Sequence, residues 1–270
     1  MTVEDVDIAN SALIKLGAKT ISALDAGSRA ADILNEQFTK VRDAVFRLHP
    51  WNSILNRVKL TQFTSTITNV VIGSDSDPVV FWSASHPFRD GDFVEIDGIV
   101  GTTELNGYSY EVYDKAASNF KIKDEDGTII TAAGKSAYVS GGTAIRVPWF
   151  QYEYAYQLPS DYIRSIQLTD RTGTEDYLFV REGNAILTDQ SECWLSYIAQ
   201  VDDPDAWDAT LREAMATALA EDVALALTGS RTLAAQARQA EADDIPTARS
   251  IDGQEGGIAI IDQSEWETVR

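Results

Sequence analysis

Apolar positions at helical spacing occur in both terminal parts of the chain. They recur every three or four residues between 3 and 16, which predicts a first helix that Gly17 ends. A second helix should begin near Ser28, a residue type that caps helix N-termini, and should stop at Pro50. Helical periodicity returns over residues 204–243, where Gly229 should separate two helical pieces. After Pro246 no period is visible.

The middle of the chain has a different pattern. Residues 61–147 contain short β-type runs such as "PVVFW", "DFVEIDG", "YSYEVYD" and "NFKIKD", separated by Gly, Asn and Asp turns. The aromatic text that follows, "VPWFQYEYAYQLPSDYIRSIQL", should pair with "NRVKL" before the β-rich region, in a second sheet that "YLFVREGNAILT" and "CWLSYIAQV" continue. We therefore interpret the β-rich region as an insertion into a host sheet. Its ends at about Thr61 and Val147 should lie close together.

These patterns predict an α+β fold class: a helical bundle with a small antiparallel sheet, interrupted by an inserted small all-β barrel domain. Residues 1–60 and 148–245 form the predicted helical domain, and residues 61–147 form the inserted module. Residues 246–270 are predicted to be an extended C-terminal docking tail, because the segment is Gly-rich yet carries apolar residues that would need a partner to be buried. The predicted docking residues are Ile258, Ile260, Ile261, Trp266 and Arg270.

The charge of the chain limits the kinds of partner that it is expected to bind. The formal net charge is −20, and residues 148–270 hold 23 acidic side chains against 8 basic ones. Such a surface repels phosphates, so sequence-specific binding of nucleic acid is not expected. Two interpretations of the acidity stay open: simple solubility, and a surface past which DNA slides without sticking. No apolar run is long enough to span a bilayer, so no membrane partner is expected.

The stretch "SHPFRDGDFVEIDGIVGTTELNG", residues 85–107, has the composition of both a metal site and a set of β-turns. A metal site at His86, Asp90 and Asp92 would need further converging ligands, and the chain has only two histidines. The dipeptides Asp90-Gly91 and Asn106-Gly107 are typical turn sequences. We therefore interpret the stretch as turns, and we expect no metal or other cofactor.

Catalytic chemistry has little support in the sequence. The single cysteine, Cys193, lies in an apolar run without a nearby histidine, which favours a core residue over a nucleophile. His49 stands at a helix end, where a structural imidazole is favoured over a general base. The chain lacks the glycine-rich and nucleophile motifs of nucleotide-binding proteins and hydrolases. An enzyme is not expected.

Three arginines near the end of the second predicted helix leave two alternatives open. Arg42, Arg47 and Arg57 could form a ridge that faces DNA or a partner. They could equally form ordinary ion pairs with Asp43 and its neighbours.

Four segments occur in an order that resembles a known family. "NSALIKLG", "VRDAVFRLHPWNS", "AYQLPSDYIRS" and the Ala-rich helix ending "ALTGS" together resemble the head-to-tail adaptor proteins of short-tailed bacteriophages, the tail tubular protein A family. The resemblance covers about 1–60 and 148–245. It implies a non-enzymatic virion protein of the neck, made in the host cytoplasm, that forms a ring of about twelve copies. The implied partners are the portal protein, the tail nozzle protein, and DNA that passes through the channel.

The central region resembles a different module. "SHPFRDGDFVEIDGIVGTTELNGYSYEV", "NFKIKD" and "SAYVSGGT" are similar to the β-barrel named after the first catalytic cysteine half-domain of ubiquitin-activating enzymes. This similarity leaves a second function open: a tail accessory protein whose module binds a receptor or glycan. Trp82, Tyr108 and Tyr138 would then form an aromatic platform.

Overall fold

The structure is a computed structural model that describes residues 3–148 and 150–255. The chain divides into two compact units. The first, which is mainly helical, takes the described parts of Met1–Arg57, Asp161–Ile166 and Ser196–Arg270. The second, which is β-rich, takes Val58–Ser160 and Gln167–Leu195. The β-rich unit is wider than the predicted insertion 61–147, whose boundaries stay a prediction.

In the described part of the helical unit there are four α-helices: α1 (Asp5–Lys15), α2 (Arg29–Leu48), α3 (Ala209–Thr228) and α4 (Arg231–Glu255). The predicted start of α2 is confirmed, because the hydroxyl of Ser28 accepts a hydrogen bond from the backbone N–H of Ala31. Gly229 ends α3 in the left-handed conformation, with φ of 65°, as its position predicted.

Helix α4 corrects the prediction that an extended tail begins at residue 246. The helix continues through Pro246 to Glu255, although proline removes one backbone hydrogen bond from a helix interior. Ile245, Ala248 and Asp252 are buried along one face, and their packing compensates for the proline. The sequence did not predict this buried helical face, because Asp252, its last residue, is of a type that is usually exposed. Residues 256–270 lie outside the described residues.

The core of the helical unit surrounds α3. This helix packs against α1, α2 and α4, and its alanines allow all three neighbours to approach closely. Its buried residues lie on every side of the helix rather than on one stripe; they include Leu211, Ala214, Met215, Ala218, Leu219, Val223 and Ala224. The large side chains that fill the rest of this core are Phe38, Phe46, Trp51 and Trp207.

A three-stranded sheet has the order β1 (Leu55–Lys59), β14 (Trp194–Ala199), β11 (Tyr162–Thr169). The sequence predicted that "NRVKL" would pair with the aromatic text after residue 147, and this was wrong. Strand β1 pairs with β14 instead. The aromatic strand β10 (Tyr154–Gln157) belongs to a four-stranded sheet with the order β12 (Val180–Glu182), β13 (Ala185–Thr188), β10, β2 (Thr61–Gln62).

The seven remaining strands form one antiparallel sheet, all of it within the β-rich unit. Its order is β3 (Thr64–Thr66), β9 (Ser140–Val147), β6 (Phe93–Val100), β7 (Tyr108–Tyr113), β8 (Asn119–Lys123), β5 (Val80–Trp82), β4 (Asn69–Val71). The sheet is curled, since the hydroxyl of Ser83, beside β5, donates to the carbonyl oxygen of Thr66 in β3 at 2.6 Å. Phe81, Phe88 and Phe120 pack inside the curl.

The two ends of the predicted insertion lie side by side. The backbone N–H of Arg146 donates to the carbonyl oxygen of Phe63 at 2.8 Å. This proximity was predicted from the sequence and is confirmed. The α+β fold class is confirmed at the level of four α-helices and a curled antiparallel sheet among residues 3–148 and 150–255.

Candidate functional site

The turn dipeptides of the 85–107 stretch join parts of the curled sheet through hydrogen bonds to its backbone. The carboxylate of Asp90 accepts from the backbone N–H of Lys115 at 3.0 Å, and the N–H of Gly91 donates to Val112. The side chain of Asn106 accepts from the N–H of Ile99 and donates to its carbonyl oxygen, and Gly107 donates to Ile96. All four residues thus make turn contacts between strands.

His86 and Asp92 lie in separate environments. The Nε2 atom of His86 is 3.1 Å from the carbonyl oxygen of Asn119, and its ring packs on Phe88 and Phe120. One carboxylate oxygen of Asp92 accepts from the N–H of Arg89, and the other forms a 3.0 Å ion pair with Arg146. Within residues 3–148 and 150–255, no three His, Cys, Asp or Glu side chains are placed to hold a metal ion.

A buried polar cluster joins the end of α2 to the end of α4. Asp252, 1% exposed, lies with one carboxylate oxygen 2.9 Å from His49 Nε2. Its other carboxylate oxygen accepts from the backbone N–H of Asn52, whose side-chain amide donates to the Asp252 carbonyl at 2.6 Å. Both carboxylate oxygens and the carbonyl oxygen of Asp252 therefore have hydrogen-bond partners. Because His49 is one of these partners, we assign it a structural role.

We expect Asp252→Ala to lower the free energy of unfolding by about 2–4 kcal/mol, because His49 and the backbone N–H of Asn52 lose their buried carboxylate partner. Asp243→Ala is the matched control: Asp243 lies exposed on the same helix and should cost less than about 0.5 kcal/mol. Urea denaturation followed by the helical circular dichroism signal measures both. Equal effects would show that the cluster contributes nothing specific.

The single cysteine is part of the core. Cys193 is fully buried, and its carbonyl oxygen accepts from the N–H of Leu60 at 3.0 Å. Burial raises the pKa of the Cys193 thiol to about 12, although nearby Lys59 acts in the opposite direction. The thiolate, which is the reactive form, is therefore scarce at neutral pH.

Cys193 should react with a disulfide reagent such as Ellman's reagent at least about a hundredfold more slowly in the native protein than in the urea-unfolded chain at the same pH. The rate for the native protein should keep rising with pH up to about 12, because the thiolate fraction grows until the thiol is fully ionised. Stopped-flow absorbance gives both rates, and the unfolded chain serves as the internal control. Equal rates at pH 8 would contradict the burial of this thiol.

Arg42 and Arg47, in the second half of α2, make their contacts within the helical unit. The guanidinium of Arg42 is buried and pairs with Asp43 at 2.9 Å and with Asp202 at 2.5 Å. Arg47 donates to the carbonyl oxygen of Ile163. For Arg42, ion pairing with Asp43 is confirmed over an exposed ridge.

Two of the aromatic residues proposed as a platform, Trp82 and Tyr108, lie toward opposite ends of strand β7. Trp82 pairs with Asn119, and Tyr113 pairs with Lys121, so Trp82 lies beyond the Tyr113 end of β7. Tyr108 begins the same strand at its other end, about 17 Å away along the strand. The hydroxyl of Tyr138 is used by the sheet, where it donates to the carbonyl oxygen of Gly141.

An open groove of about 500 Å³ lies at the Tyr108 end of β7. Its lining residues are Glu104, Tyr108, Ser109, Tyr110 and the run Asp124, Glu125, Asp126. Tyr108 was predicted as a site residue from the sequence, whereas the groove was not. The acidic turn "DEDG" was the available signal, yet only the pairing of β7 with β8 brings that turn next to the two tyrosines.

The two tyrosines of the groove differ in exposure. Tyr108 is 62% exposed, whereas Tyr110 is 6% exposed, and their ring centroids are 6.5 Å apart. Burial, and secondarily Tyr108, raises the pKa of Tyr110 to about 12, so its hydroxyl keeps its proton at neutral pH. That hydroxyl makes no hydrogen bond within the described part of the chain.

The carboxylates of the groove form no ion pairs among the described residues. The hydroxyl of Ser136 donates to Glu104 at 2.6 Å and lowers the pKa of that carboxyl. One oxygen of Asp124 accepts the backbone N–H groups of Asp126 and Thr128. Glu125 and Asp126 extend into solvent. The groove therefore combines negative charge, an exposed ring and a free hydroxyl.

The five predicted docking residues, Ile258, Ile260, Ile261, Trp266 and Arg270, lie outside the described residues. Their role stays a prediction. Among the helices that the structure describes, none is both long enough and apolar enough to cross a membrane.

Comparison with known proteins identifies one segment. A search of curated proteins found no match to the chain. A family model described as the ubiquitin-activating enzyme E1 FCCH domain matches residues 76–147. The match covers strands β5 to β9 and includes the turns and the groove described above. The predicted resemblance of the central module is confirmed for this segment, while the adaptor resemblance of the helical segments stays a prediction. Residues 76–147 are thus similar to the FCCH domain of ubiquitin-activating enzymes.

Proposed function

We propose that the chain is a structural virion protein, a subunit of a head-to-tail adaptor ring that joins a portal to a tail and extends the DNA channel. In this proposal it catalyses no reaction. Its helices and a small sheet form a bundle, and residues 61–147 are a small β-barrel inserted into it. The order of the four adaptor-like segments along the chain is what suggests the family.

The observation that carries the proposal is a pair of contacts between two of those segments across the insertion. Arg47, in "VRDAVFRLHPWNS", donates from Nη1 to the carbonyl oxygen of Ile163 at 2.5 Å. Arg164, in "AYQLPSDYIRS", donates from Nη1 to the carbonyl oxygen of Arg47 at 2.9 Å. The segments are more than a hundred residues apart. Reciprocal contacts of this kind are expected when one domain resumes after an insertion.

Exposed apolar side chains on the helices are candidates for a subunit interface. Identical subunits close into a ring when each contact repeats the same rotation, and each contact must bury an apolar patch. Isolated exposed apolar residues are common, so the proposal rests on several in one unit. In the helical unit they are Ile14, Leu48, Leu225, Leu233 and Ile251.

The acidic excess after residue 147 fits the channel part of the proposal. Carboxylates facing the channel would repel the DNA phosphates weakly and keep the DNA mobile. Lysine or arginine in the same positions would release counterions and hold the DNA.

The direct test is quantitative mass spectrometry of purified particles of the phage that encodes the chain. The proposal expects the chain and the portal protein in nearly equal amounts. Negative-stain images of the chain mixed with its portal should show a ring stacked on the portal. Absence of the chain from purified particles would overturn the proposal.

Two exposed positions of nearly equal accessibility give a matched pair of variants for that assay. Ile14 on α1 is 66% exposed, and Val139 beside β9 is 67% exposed. Ile14→Glu should prevent ring assembly if the helices form the interface, while Val139→Glu should assemble normally. Circular dichroism should show that both variants keep the fold.

The proposed docking tail needs its own truncation. Asp252 is buried in the helical unit, so a deletion must begin after Glu255 to leave the fold intact. Removal of residues 256–270 should abolish attachment to the portal. If the shortened protein still assembles on portals, docking belongs to the helical unit.

A further inference from the structure

We infer that a groove on the helical unit binds the end of helix α2 from a second copy of the chain, in a head-to-tail contact that repeats around a ring. The groove lies between the end of α1 and helices α3 and α4, and we call it the helical groove. The inserted end is Leu48 with its neighbours Arg47 and Arg164, and we call it the α2 tip. The inference rests on the proposed function and deepens it, because it names the contact that the ring repeats.

Small side chains create the helical groove. It encloses about 290 Å³, a space that a leucine side chain can enter. Its apolar lining comes from Leu16, which follows α1, from Ala220 on α3, and from Leu233, Ala237 and Ala240 on α4. Alanine at three of these positions leaves space that longer side chains would fill. Leu233 is 37% exposed, so part of this apolar lining reaches solvent.

An exposed isoleucine and two carboxylates stand at the rim of the helical groove. Ile14, 66% exposed, precedes the lining residue Lys15. The Nζ atom of Lys15 is 2.5 Å from Glu213 and 3.9 Å from Asp244. The hydroxyl of Thr217, another lining residue, donates to Asp244 at 3.4 Å. Two carboxylates therefore face one lysine, and the rim carries a net negative charge.

The α2 tip has the complementary chemistry. Leu48 is 46% exposed at the end of its helix. Arg164 lies beside it, since its guanidinium donates to the carbonyl oxygen of Arg47 at 2.9 Å. Arg42 has carboxylate partners, whereas Arg47 and Arg164 form no ion pair within the described part of the chain. The tip thus offers an apolar side chain flanked by positive charge to an apolar groove with a negative rim.

The helical groove and the α2 tip lie at different places on the bundle. Near the tip, Phe46 packs against Trp207, which precedes α3, so α2 ends where α3 begins. The groove lies beside Ala220, about 17 Å further along α3. Each copy therefore presents one groove and one tip at separate positions. Identical subunits that carry two such complementary surfaces can join head to tail.

Cysteine cross-linking of the full chain tests this contact. Leu48→Cys places a thiol on the α2 tip, and Gln236→Cys places one on an exposed residue that lines the helical groove. The native Cys193 is fully buried and does not compete. Treated with a short bismaleimide, a mixture of the two single variants should give covalent dimers. The double variant should give a ladder of longer oligomers, while each single variant alone should stay unlinked.

Two results of this experiment overturn the inference. The first is that the mixture gives no cross-links at any protein concentration. The second is that the double variant stops at covalent dimers, which would indicate a closed two-fold pair instead of a head-to-tail contact.

Ala235→Cys is the matched control for position. Ala235 is exposed on α4 next to Gln236, but it does not line the helical groove. Mixed with Leu48→Cys, it should cross-link at least about tenfold less than Gln236→Cys, because adjacent residues of a helix face different directions. Circular dichroism should show that all three variants keep the native helical signal. Equal yields would mean random collision and would overturn the assigned site.

Charge reversal at the rim tests the electrostatic part of the contact. Asp244→Lys, added to the Gln236→Cys chain, should lower the yield of dimers with Leu48→Cys at least about fivefold. Asp243→Lys changes the net charge equally at an exposed residue that does not line the groove, and should lower the yield less than about twofold. Equal losses would show that overall charge controls association, and would overturn the role of the rim.

Failure of this contact and failure of the proposed function give different results. If purified particles contain the chain but the mixed variants do not cross-link, the ring stands and the contact between groove and tip is wrong. If the variants cross-link as expected but particles lack the chain, the contact stands as self-association and the adaptor proposal fails.

Discussion

Replacing Gly101 with alanine is expected to destabilise the β-rich unit by about 3 kcal/mol or more. The backbone of Gly101 has φ of +100°, which L-residues rarely adopt. A Cβ atom there would lie 2.2 Å from the carbonyl oxygen of Ala137 and 2.8 Å from the backbone nitrogen of Val139. Both neighbours are backbone atoms, so neither can move without disturbing the contact between Val139 and Val100.

Gly107→Ala is the control for this prediction. Gly107 also has positive φ, at +77°, but nothing lies within 4 Å of the position that its Cβ would take. Backbone strain alone should cost it about 1 kcal/mol. Urea denaturation of both variants, followed by tryptophan fluorescence and β-type circular dichroism, measures the difference. Similar losses in the two variants would contradict the close approach at Gly101.

Trp207→Ala should lower the free energy of unfolding of the helical unit by about 3–5 kcal/mol, because it leaves a large cavity in a packed core. Trp207 is 2% exposed, and its ring meets Phe46 edge to face with centroids 5.2 Å apart. Its indole N–H donates to the carbonyl oxygen of Val201 at 2.9 Å. Calorimetry and urea denaturation both report this loss.

Two further variants divide the contribution of Trp207. Trp207→Phe keeps an aromatic ring but removes the indole donor, and should cost about 1–2 kcal/mol. Trp82→Ala removes a tryptophan that is 41% exposed, and should cost less than about 1 kcal/mol. If Trp82→Ala were as destabilising as Trp207→Ala, the packing around Trp207 would not be the cause.

Local signals predicted much of the architecture. The cap of α2 at Ser28 and the end of α3 at Gly229 depend on residues within one turn, so the sequence specifies them directly. The similarity of residues 76–147 to a β-module was also visible, because its strands are short and its turn residues stand at regular positions. The predicted closeness of its ends followed from the logic of an insertion.

Long-range contacts decided the rest. The strand "NRVKL" pairs with β14, more than a hundred residues away, and a period-two pattern does not identify a strand's partner. Helix α4 passes through Pro246 because Ile245, Ala248 and Asp252 are buried, and the partners of Asp252 are two hundred residues distant. From the sequence alone, a buried aspartate cannot be distinguished from a polar surface residue, because its partners are not known.

The candidate groove shows the same division. The sequence by itself determined that Tyr108 and Tyr110 lie on one face of a strand and that "DEDG" forms a turn, since both follow from local periodicity and turn chemistry. Only the tertiary structure decided that the turn stands beside the tyrosines, and that no described residue forms a hydrogen bond with the Tyr110 hydroxyl. The physical reason is that hydrogen-bond satisfaction and local potential depend on groups that strand pairing brings together from distant parts of the chain.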